Sequence, residues 1–244
     1  MLSFGCKAQS ESKQLPANIP KEILLGMSKS RTHLVETQLS QDEPKFFLQK
    51  EAWESLKTMK SDFDQWREEN QKGHQSIFLT SAFRDYDQQK LIWEKKYSGK
   101  TKMRESVVGK TPQEIVQLIM EFSSAPGTSR HHWGTDFDIN ILQNDYYKKN
   151  GKGEIIYEWL SQNASKYGFC QPYTTLSSRK NMGYAEERWH WSFKPISKQY
   201  REEYAKLLES FPEIPFQNAF LGSEVLTKAK IREFVVDGIS DSCK

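Results

Sequence analysis

The sequence is poor in the features that would place it in an easily recognised class. It has three cysteines among 244 residues, and none has the CxxC spacing of a zinc knuckle or a thioredoxin-type redox site. It contains no apolar run of about 18 residues, so no transmembrane helix is predicted. The net charge is only +3, and no cluster of five or more Lys and Arg residues occurs. These features exclude a basic nucleic-acid-binding protein, and no nucleic acid is expected among the partners.

The residues that are present are typical of one globular domain. Aromatic residues make up 13% of the chain and charged residues 27%, which is unlike a disordered protein. A chain of this length can fill one core without dividing. Cys170, within an apolar segment, is most simply a small buried hydrophobic residue. We expect a monomer.

The N-terminus suggests a flexible polar tail over residues 1–20. Cys6 follows a short start, Met1–Gly5, and precedes a polar run to Gln14, as at the end of a bacterial lipoprotein signal. No basic region and no apolar stretch of about 7–15 residues precedes it, so a complete signal peptide is not seen. The residues around Cys6 nevertheless make it a candidate lipid-attachment site, which would anchor the protein in the bacterial cell envelope.

Apolar periodicity and turn residues predict helices mixed with short strands. A strong amphipathic helix is expected over residues 48–70. Thr111 to Glu114 form a capping box with proline at the first helical position, and the helix it opens has an apolar face of Ile115, Leu118, Ile119 and Phe122. Further helices are expected near 88–93, 154–166 and 196–211. Strands are expected at 76–81 and around 234–236, and loops at 97–110 and 174–181.

This pattern predicts an α+β fold in which a small antiparallel sheet lines the functional site and several helices pack against it. The catalytic domain is expected over residues 21–215. Residues 216–244 would form a C-terminal extension, either irregular or carrying the small strand around 234–236.

The first chemically informative segment runs from Ser129 to Asp138. His131 and Asp138, together with the later His190, supply the mixed nitrogen and oxygen donors that Zn²⁺ accepts. Three protein ligands leave a fourth position for water, which is typical of a catalytic zinc site. Strict alternation over residues 135–141 predicts a half-buried strand, with Phe137, Ile139 and Ile141 on the apolar face and Asp136, Asp138 and Asn140 on the other. His132 is a rival ligand, and spacing alone does not choose between it and His131.

The second segment, residues 187–193, also has the alternation of a strand. Glu187 lies three residues before His190, so its carboxylate is close to a ligand and free to act as a general base. In a regular strand the two side chains would point to opposite faces. The hypothesis therefore requires Glu187 to lie at a bend or bulge where the strand begins.

Arg84 is the third candidate. It follows the strand predicted at 76–81, from which a guanidinium could reach a cleft and bind an oxyanion or a terminal carboxylate. The alternative is an ordinary surface ion pair with Asp85 or Asp87, worth roughly 0–1 kcal/mol.

Three segments in order now carry a resemblance to a known family. The first matches the pattern Ser-x-His-x-x-Gly-x-x-x-Asp, the second matches Glu-x-x-His, and residues 81–89 resemble an upstream Ser-Gly-Tyr-Arg-Ser-x-x-x-Gln segment. The chain thus resembles the D-alanyl-D-alanine carboxypeptidase and dipeptidase family of zinc metallopeptidases (the M15 peptidases) from about residue 45 to about residue 195. The resemblance implies that His131, Asp138 and His190 bind one zinc ion, that Glu187 is the base, and that Arg84 contacts substrate near the scissile bond.

The same resemblance implies substrate-binding positions. Ser129 and Gln89 match positions that lie near the bound peptide in relatives. Ala82 and Asp85 depart from the family's glycine and serine, which leaves local substrate contacts open. Tyr184 is a further candidate pocket residue, because it lies close in sequence to the predicted base.

The resulting expectation is a zinc carboxypeptidase of the bacterial envelope that removes the C-terminal D-amino acid of peptidoglycan stem peptides through metal-activated water. An L,D-carboxypeptidase or a D,D-dipeptidase of the same family is the alternative within enzymes. A non-catalytic zinc-binding cell-wall module is an alternative of another class, although it would have no need of Glu187. A structural zinc site would need a fourth ligand, for which Cys170 is the nearby candidate.

Overall fold

The computed structural model describes residues 18–214, residue 216 and residues 218–244. Cys6 lies outside these residues, so lipid attachment stays a prediction. The tail expected to reach residue 20 is wrong for Ile19, which is 7% exposed and belongs to the hydrophobic core. Burying a side chain of this size contributes about 1.5–3 kcal/mol, which is enough to hold the segment before the first helix against the domain.

Within the described residues, the strands form two antiparallel sheets. The smaller pairs β1 (Val35–Thr37) with β2 (Phe46–Leu48). The larger sheet has the strand order β3-β4-β6-β5, and its strands are β3 (Leu79–Ser81), β4 (Asp136–Ile139), β5 (Phe169–Cys170) and β6 (His190–Phe193). All of its neighbouring strands are antiparallel. The expected α+β class with a small antiparallel sheet is confirmed.

Strand β4 is the centre of the site, and both of its faces are buried. The expectation of a half-buried strand reaching Ile141 is wrong: Asn140 takes a left-handed conformation with φ 49°, and Ile141 is 41% exposed. Phe137 keeps the expected role and packs edge-on against Phe169 at 5.2 Å between ring centroids. The opposite face is buried because the side chains of Asp136 and Asp138 are enclosed together with their hydrogen-bonding partners.

Seven α-helices are found in the described part of the chain, and none of them is long and apolar enough to span a bilayer. They are α1 (Lys21–Leu24), α2 (Lys50–Glu69), α3 (Tyr86–Tyr97), α4 (Pro112–Met120), α5 (Glu154–Asn163), α6 (Lys194–Ser210) and α7 (Lys228–Arg232). The helices predicted over 48–70, 154–166 and 196–211 correspond to α2, α5 and α6. Phe63 of α2 contacts Trp159 of α5 edge-on at 5.4 Å, so periodic apolar positions on the two helices meet in one core.

Helix α4 begins at the predicted capping box. Thr111 accepts from the Glu114 amide at 3.4 Å, and the Glu114 carboxylate accepts from the Thr111 amide at 2.7 Å. Ile115 and Ile119 are buried as expected. Phe122, expected on the same apolar face, is 41% exposed because the helix ends before it and its ring lines an open cavity.

The C-terminal extension is neither irregular nor a strand, so that expectation is wrong. Helix α7 continues into a π-helical turn, Glu233–Asp237, whose Phe234, Val235 and Val236 are buried. Three consecutive apolar residues are compatible with a helix when it is enclosed on several sides. Buried Arg179 ties the segment down by donating to the carbonyl oxygens of Gly238 at 2.6 Å and Tyr184 at 2.5 Å.

A disulfide between Cys170 and Cys243 closes the same segment onto strand β5. Cys170 is buried as expected, but it is also bonded to a cysteine 73 residues away, a pairing that the sequence did not predict. In the chain-entropy description, a cross-link over a loop of this length stabilises the fold by about 4 kcal/mol.

Candidate metal centre

The sheet brings together the three predicted metal ligands. Asp138 on β4 and His190 on β6 are direct partners in the strand register, and His131 lies on a short 3-10 helix, Arg130–Trp133, that leads into β4. One donor atom from each residue lies within 4.8 Å of the other two, and all three side chains are buried. His190 Nδ1 is 2.9 Å from Asp138 Oδ1, and His131 Nε2 is 3.3 Å from Asp138 Oδ2.

The two adjacent histidines are distinguished by their hydrogen bonds. The Nδ1 atom of His131 lies 2.7 Å from the carbonyl oxygen of Ala82, which leaves Nε2 facing Asp138. Both ring nitrogens of His132 are engaged elsewhere, since Nδ1 lies 2.7 Å from the Arg84 carbonyl oxygen and Nε2 accepts from the Gly127 amide at 3.2 Å. The geometry therefore presents His131, and not His132, to a metal.

His190 is held from behind by Asp136, a residue that the sequence reasoning had not assigned. His190 Nε2 lies 3.0 Å from Asp136 Oδ2, which also accepts from Arg130 Nε at 2.8 Å. The other carboxylate oxygen accepts from the hydroxyls of Thr135 at 2.7 Å and Ser192 at 2.8 Å. A carboxylate on the far nitrogen of a ligating histidine fixes its orientation and tautomer. The sequence signal was present, because Asp136 and Asp138 share one face of β4.

Glu187 occupies the bend that its expected role requires. It precedes β6, and a turn hydrogen bond runs from the His190 amide to the Glu187 carbonyl oxygen at 3.3 Å. This turn brings Glu187 Oε2 within 3.7 Å of His190 Nδ1. Burial raises the pKa of Glu187 to about 8, with a further rise from Asp138 and opposing contributions from His190 and Arg84. A carboxylate with a raised pKa beside the ligands suits proton transfer near neutral pH.

The charges of the three ligand side chains fit a divalent cation. Burial would lower the pKa of His190, but its hydrogen bonds with Asp136 and Asp138 raise the value to about 9. The protein's own groups therefore favour a positive charge between these carboxylates. One donor atom from each of the three residues lies within 4.8 Å of the others, so a single ion could contact all three.

Arg84 lies beside this group and is not a surface ion pair. Its Nη1 is 3.5 Å from Asp138 Oδ2 and donates to Ser81 Oγ at 2.5 Å, and its Nε donates to Gln89 Oε1 at 3.0 Å. The alternative partners pair elsewhere, Asp85 with Arg31 at 3.2 Å and Asp87 with Lys29 at 3.8 Å. Gln89 in turn donates to the Ser124 carbonyl oxygen at 2.7 Å, so it positions the guanidinium.

The remaining two predicted substrate-binding residues are placed differently. Tyr184 lines the cavity described below, where its ring packs edge-on against Tyr173 at 5.0 Å. Ser129 is 1% exposed, is not part of the cavity wall, and caps the short 3-10 helix by accepting from the His131 amide at 3.3 Å. Ser129 thus supports His131 from within the protein.

A cavity of about 830 Å³ opens over the metal ligands, and Arg84, Gln89, Tyr184 and Glu187 contribute to its wall. Trp189 also lines it, with Phe122 at 6.3 Å between ring centroids. Trp133 and Trp191, which also flank the predicted ligands in sequence, are instead buried in the core. The volume is sufficient for a short peptide or a drug-sized molecule.

Comparison with known proteins identifies the family. Residues 47–196 match the family described as VanY, D-alanyl-D-alanine carboxypeptidase. The chain belongs to the VanY family. The matched residues include every predicted metal ligand, Glu187 and Arg84, and they exclude the disulfide-linked C-terminal helices.

Individual proteins similar to this chain share between 21% and 28% of their aligned residues with it. The protein named putative carboxypeptidase YodJ, of Bacillus subtilis (strain 168), is 28% identical over 185 residues, which cover 74% of this chain and 59% of YodJ. The crystal structure of the LD-carboxypeptidase LdcB is 21% identical, with a TM-score of 0.50 over 86% of this chain and 81% of LdcB, and it shares the fold. A VanY D,D-pentapeptidase solved with Zn(II) is 22% identical, with a TM-score of 0.47 over 68% of this chain and 84% of its own.

Proposed function

We propose that this VanY-family protein is a zinc-dependent D-alanyl-D-alanine carboxypeptidase that removes the C-terminal D-amino acid from peptidoglycan stem peptides. The observation that carries the proposal is the buried group of His131, Asp138 and His190, with Glu187 at 3.7 Å from His190 and Arg84 at 3.5 Å from Asp138. A metallopeptidase needs a metal site, a base and an oxyanion donor around one point, and these residues are of the types that supply them.

Zinc held by the three ligands would act as a Lewis acid and lower the pKa of water at the site from about 15.7 to about 7. Glu187 accepts the proton of the attacking water and delivers it to the nitrogen of the departing amino acid. Arg84, fixed by Gln89, donates to the carbonyl oxygen of the scissile peptide as negative charge develops there. Asp136 keeps the His190 ring aligned throughout.

The alternatives from other classes are less well supported. A binding module would not need Glu187 buried beside the ligands with a pKa of about 8. A structural zinc site would need a fourth protein ligand, and the nearby candidate, Cys170, is bonded to Cys243 and offers no thiolate.

We place the protein outside the cytoplasm, in the bacterial envelope. The disulfide supports this location, because disulfides persist in oxidising compartments and are rare in the cytosol. Peptidoglycan stem peptides are also found in the envelope. The monomeric state stays a prediction.

The test is incubation of the purified protein with three substrates: a pentapeptide stem ending in D-Ala-D-Ala, the corresponding tetrapeptide, and free D-Ala-D-Ala. Each is assayed with chelator, and again after zinc is restored, with mass analysis of the products. We expect loss of one D-alanine from the pentapeptide, abolished by chelator and recovered with zinc. Release from the tetrapeptide alone would make the protein an L,D-carboxypeptidase, and cleavage of the free dipeptide alone would make it a D,D-dipeptidase.

Glu187→Gln is the control for chemistry against folding. It should keep about one zinc per chain and lose hydrolysis by a factor of about 10² or more, because the amide cannot accept the proton. Wild-type turnover in this variant would remove Glu187 from the mechanism, and no turnover of any substrate by the wild-type protein would refute the proposed function.

A further inference from the structure

The cavity contains a cation that the proposed chemistry does not use. Lys96 lies in the last turns of α3 and lines the cavity, half-buried, together with Arg84 and Glu187. Its ammonium donates to the hydroxyl of Ser123, a neutral partner. Within the described ranges no carboxylate oxygen lies within 4.0 Å of this ammonium.

The other buried or paired cations of the cavity are already neutralised. Arg84 pairs with Asp138, Arg130 with Asp136 at 2.8 Å, and Arg104 with Glu121 at 2.9 Å. Lys96 is different because it loses hydration without gaining an anion. Burial accordingly lowers its pKa, with a partial offset from the more distant Glu187. A carboxylate arriving in the cavity would compensate this loss of hydration.

The side chains that line this part of the cavity next to Arg84 are held by one stretch of chain. Gln89, which fixes the Arg84 guanidinium, donates to the carbonyl oxygen of Ser124, and Lys96 donates to the adjacent Ser123. Gln89 and Lys96 are seven residues apart on one face of α3, and a long helical side chain points back toward the N-terminus. The two groups that accept these hydrogen bonds thus belong to adjacent residues, and Arg84, Gln89 and Lys96 line the same cavity.

A carboxypeptidase must recognise a free C-terminus one residue beyond the scissile carbonyl. The negative charge of the terminal carboxylate distinguishes this end from a continuing peptide. We infer that Lys96, with Ser123, binds the terminal carboxylate of the substrate while Arg84 faces the scissile carbonyl. This inference rests on the proposed carboxypeptidase activity and assigns the group that selects a free C-terminus. Lys96 would thus determine specificity, and it takes no part in the proton transfers.

The test compares the pentapeptide acid with its C-terminal amide, using wild-type protein, Lys96→Met and Lys96→Arg. The control is Lys95→Met, which removes the same charge from the neighbouring, exposed position of α3. We expect the wild type to prefer the acid by about 10- to 100-fold in kcat/KM, the range for a hydrogen bond to a charged group. Lys96→Met should lose this preference, mainly through a higher KM for the acid. Lys96→Arg should retain part of it, and Lys95→Met should match the wild type.

A binding measurement separates recognition from turnover. In the Glu187→Gln background, Lys96→Met should weaken calorimetric binding of the pentapeptide acid by about 10- to 100-fold and leave binding of the amide unchanged. An equal loss on acid and amide, or no loss on either, would overturn the assignment of Lys96. If the wild type cleaves neither peptide, the proposed function fails, and the binding comparison still decides whether Lys96 reads a carboxylate.

Discussion

Replacing Asp136 by asparagine should weaken zinc binding although no ligand is removed. His190 can present a lone pair at Nδ1 only when its proton is on Nε2, the nitrogen that lies 3.0 Å from Asp136 Oδ2. Asparagine keeps the shape of the side chain but removes its charge, and its amide nitrogen cannot accept a hydrogen bond. The ring then loses both the preference for the required tautomer and part of its basicity.

The Asp136 carboxylate contacts both His190 and Arg130, so its loss affects zinc affinity and folding stability together. Loss of such a supporting carboxylate typically lowers metal affinity by 10- to 100-fold, which corresponds to about 1.4–2.7 kcal/mol. The same substitution leaves Arg130, 1% exposed, without its anionic partner. Breaking a buried pair in this way costs up to about 3–5 kcal/mol of folding stability. Affinity and stability must therefore be measured separately.

The assay is competition with a chromophoric chelator, which reports the zinc Kd of folded protein, together with thermal unfolding followed by circular dichroism. Asp42→Asn is the matched control, because Asp42 is exposed and distant in sequence from every ligand. A zinc Kd for Asp136→Asn within about twofold of the wild-type value would refute the orienting role. Weaker zinc binding by the control to the same extent would show that the effect reflects net charge alone.

Two further predictions follow from the contacts of the site and of its C-terminal cover. His131→Ala should lose zinc, whereas His132→Ala should keep about one zinc ion per chain, as measured by elemental analysis. His132→Ala should also lose about 1–3 kcal/mol of folding stability, because the buried Gly127 amide loses its acceptor. The reverse metal contents would show that the wrong histidine was chosen as the ligand. Cys243→Ser should lower stability by about 4 kcal/mol, or roughly 8–16 °C in melting temperature. Calorimetry with and without reductant checks this, and a reductant-insensitive wild-type protein would contradict the disulfide.

The ligand types were readable from the sequence because they lie in short local patterns. His131 and Asp138 are joined by one turn and one strand, and the alternation around Asp138 correctly placed it on the polar face of β4 together with Asp136. The bend before His190 was required by the role assigned to Glu187, because a regular strand would point the two side chains to opposite faces. Such inferences succeed because backbone periodicity is a local property.

The choice between His131 and His132 could not be made in this way. It depends on the carbonyl oxygens of Ala82 and Arg84, which lie 49 and 48 residues away in sequence. Each of these oxygens holds one imidazole, and only the tertiary fold brings them to the neighbouring rings. The same reason applies to the Cys170–Cys243 bond. It also applies to the helical C-terminal segment, which was predicted as irregular or as a small strand, because three apolar residues in a row do not reveal how many sides will be covered.

By itself the sequence determined the family, the chemical types of the ligands and base, and the alternation that places Asp138 on a polar face. The tertiary structure alone showed which of the adjacent histidines turns a ring nitrogen to Asp138, that Asp136 contacts His190, and that Lys96 has no carboxylate partner among the described residues. The physical reason is that ligand identity is carried by side-chain chemistry, whereas orientation and charge balance are set by hydrogen bonds between segments that meet only in the folded chain.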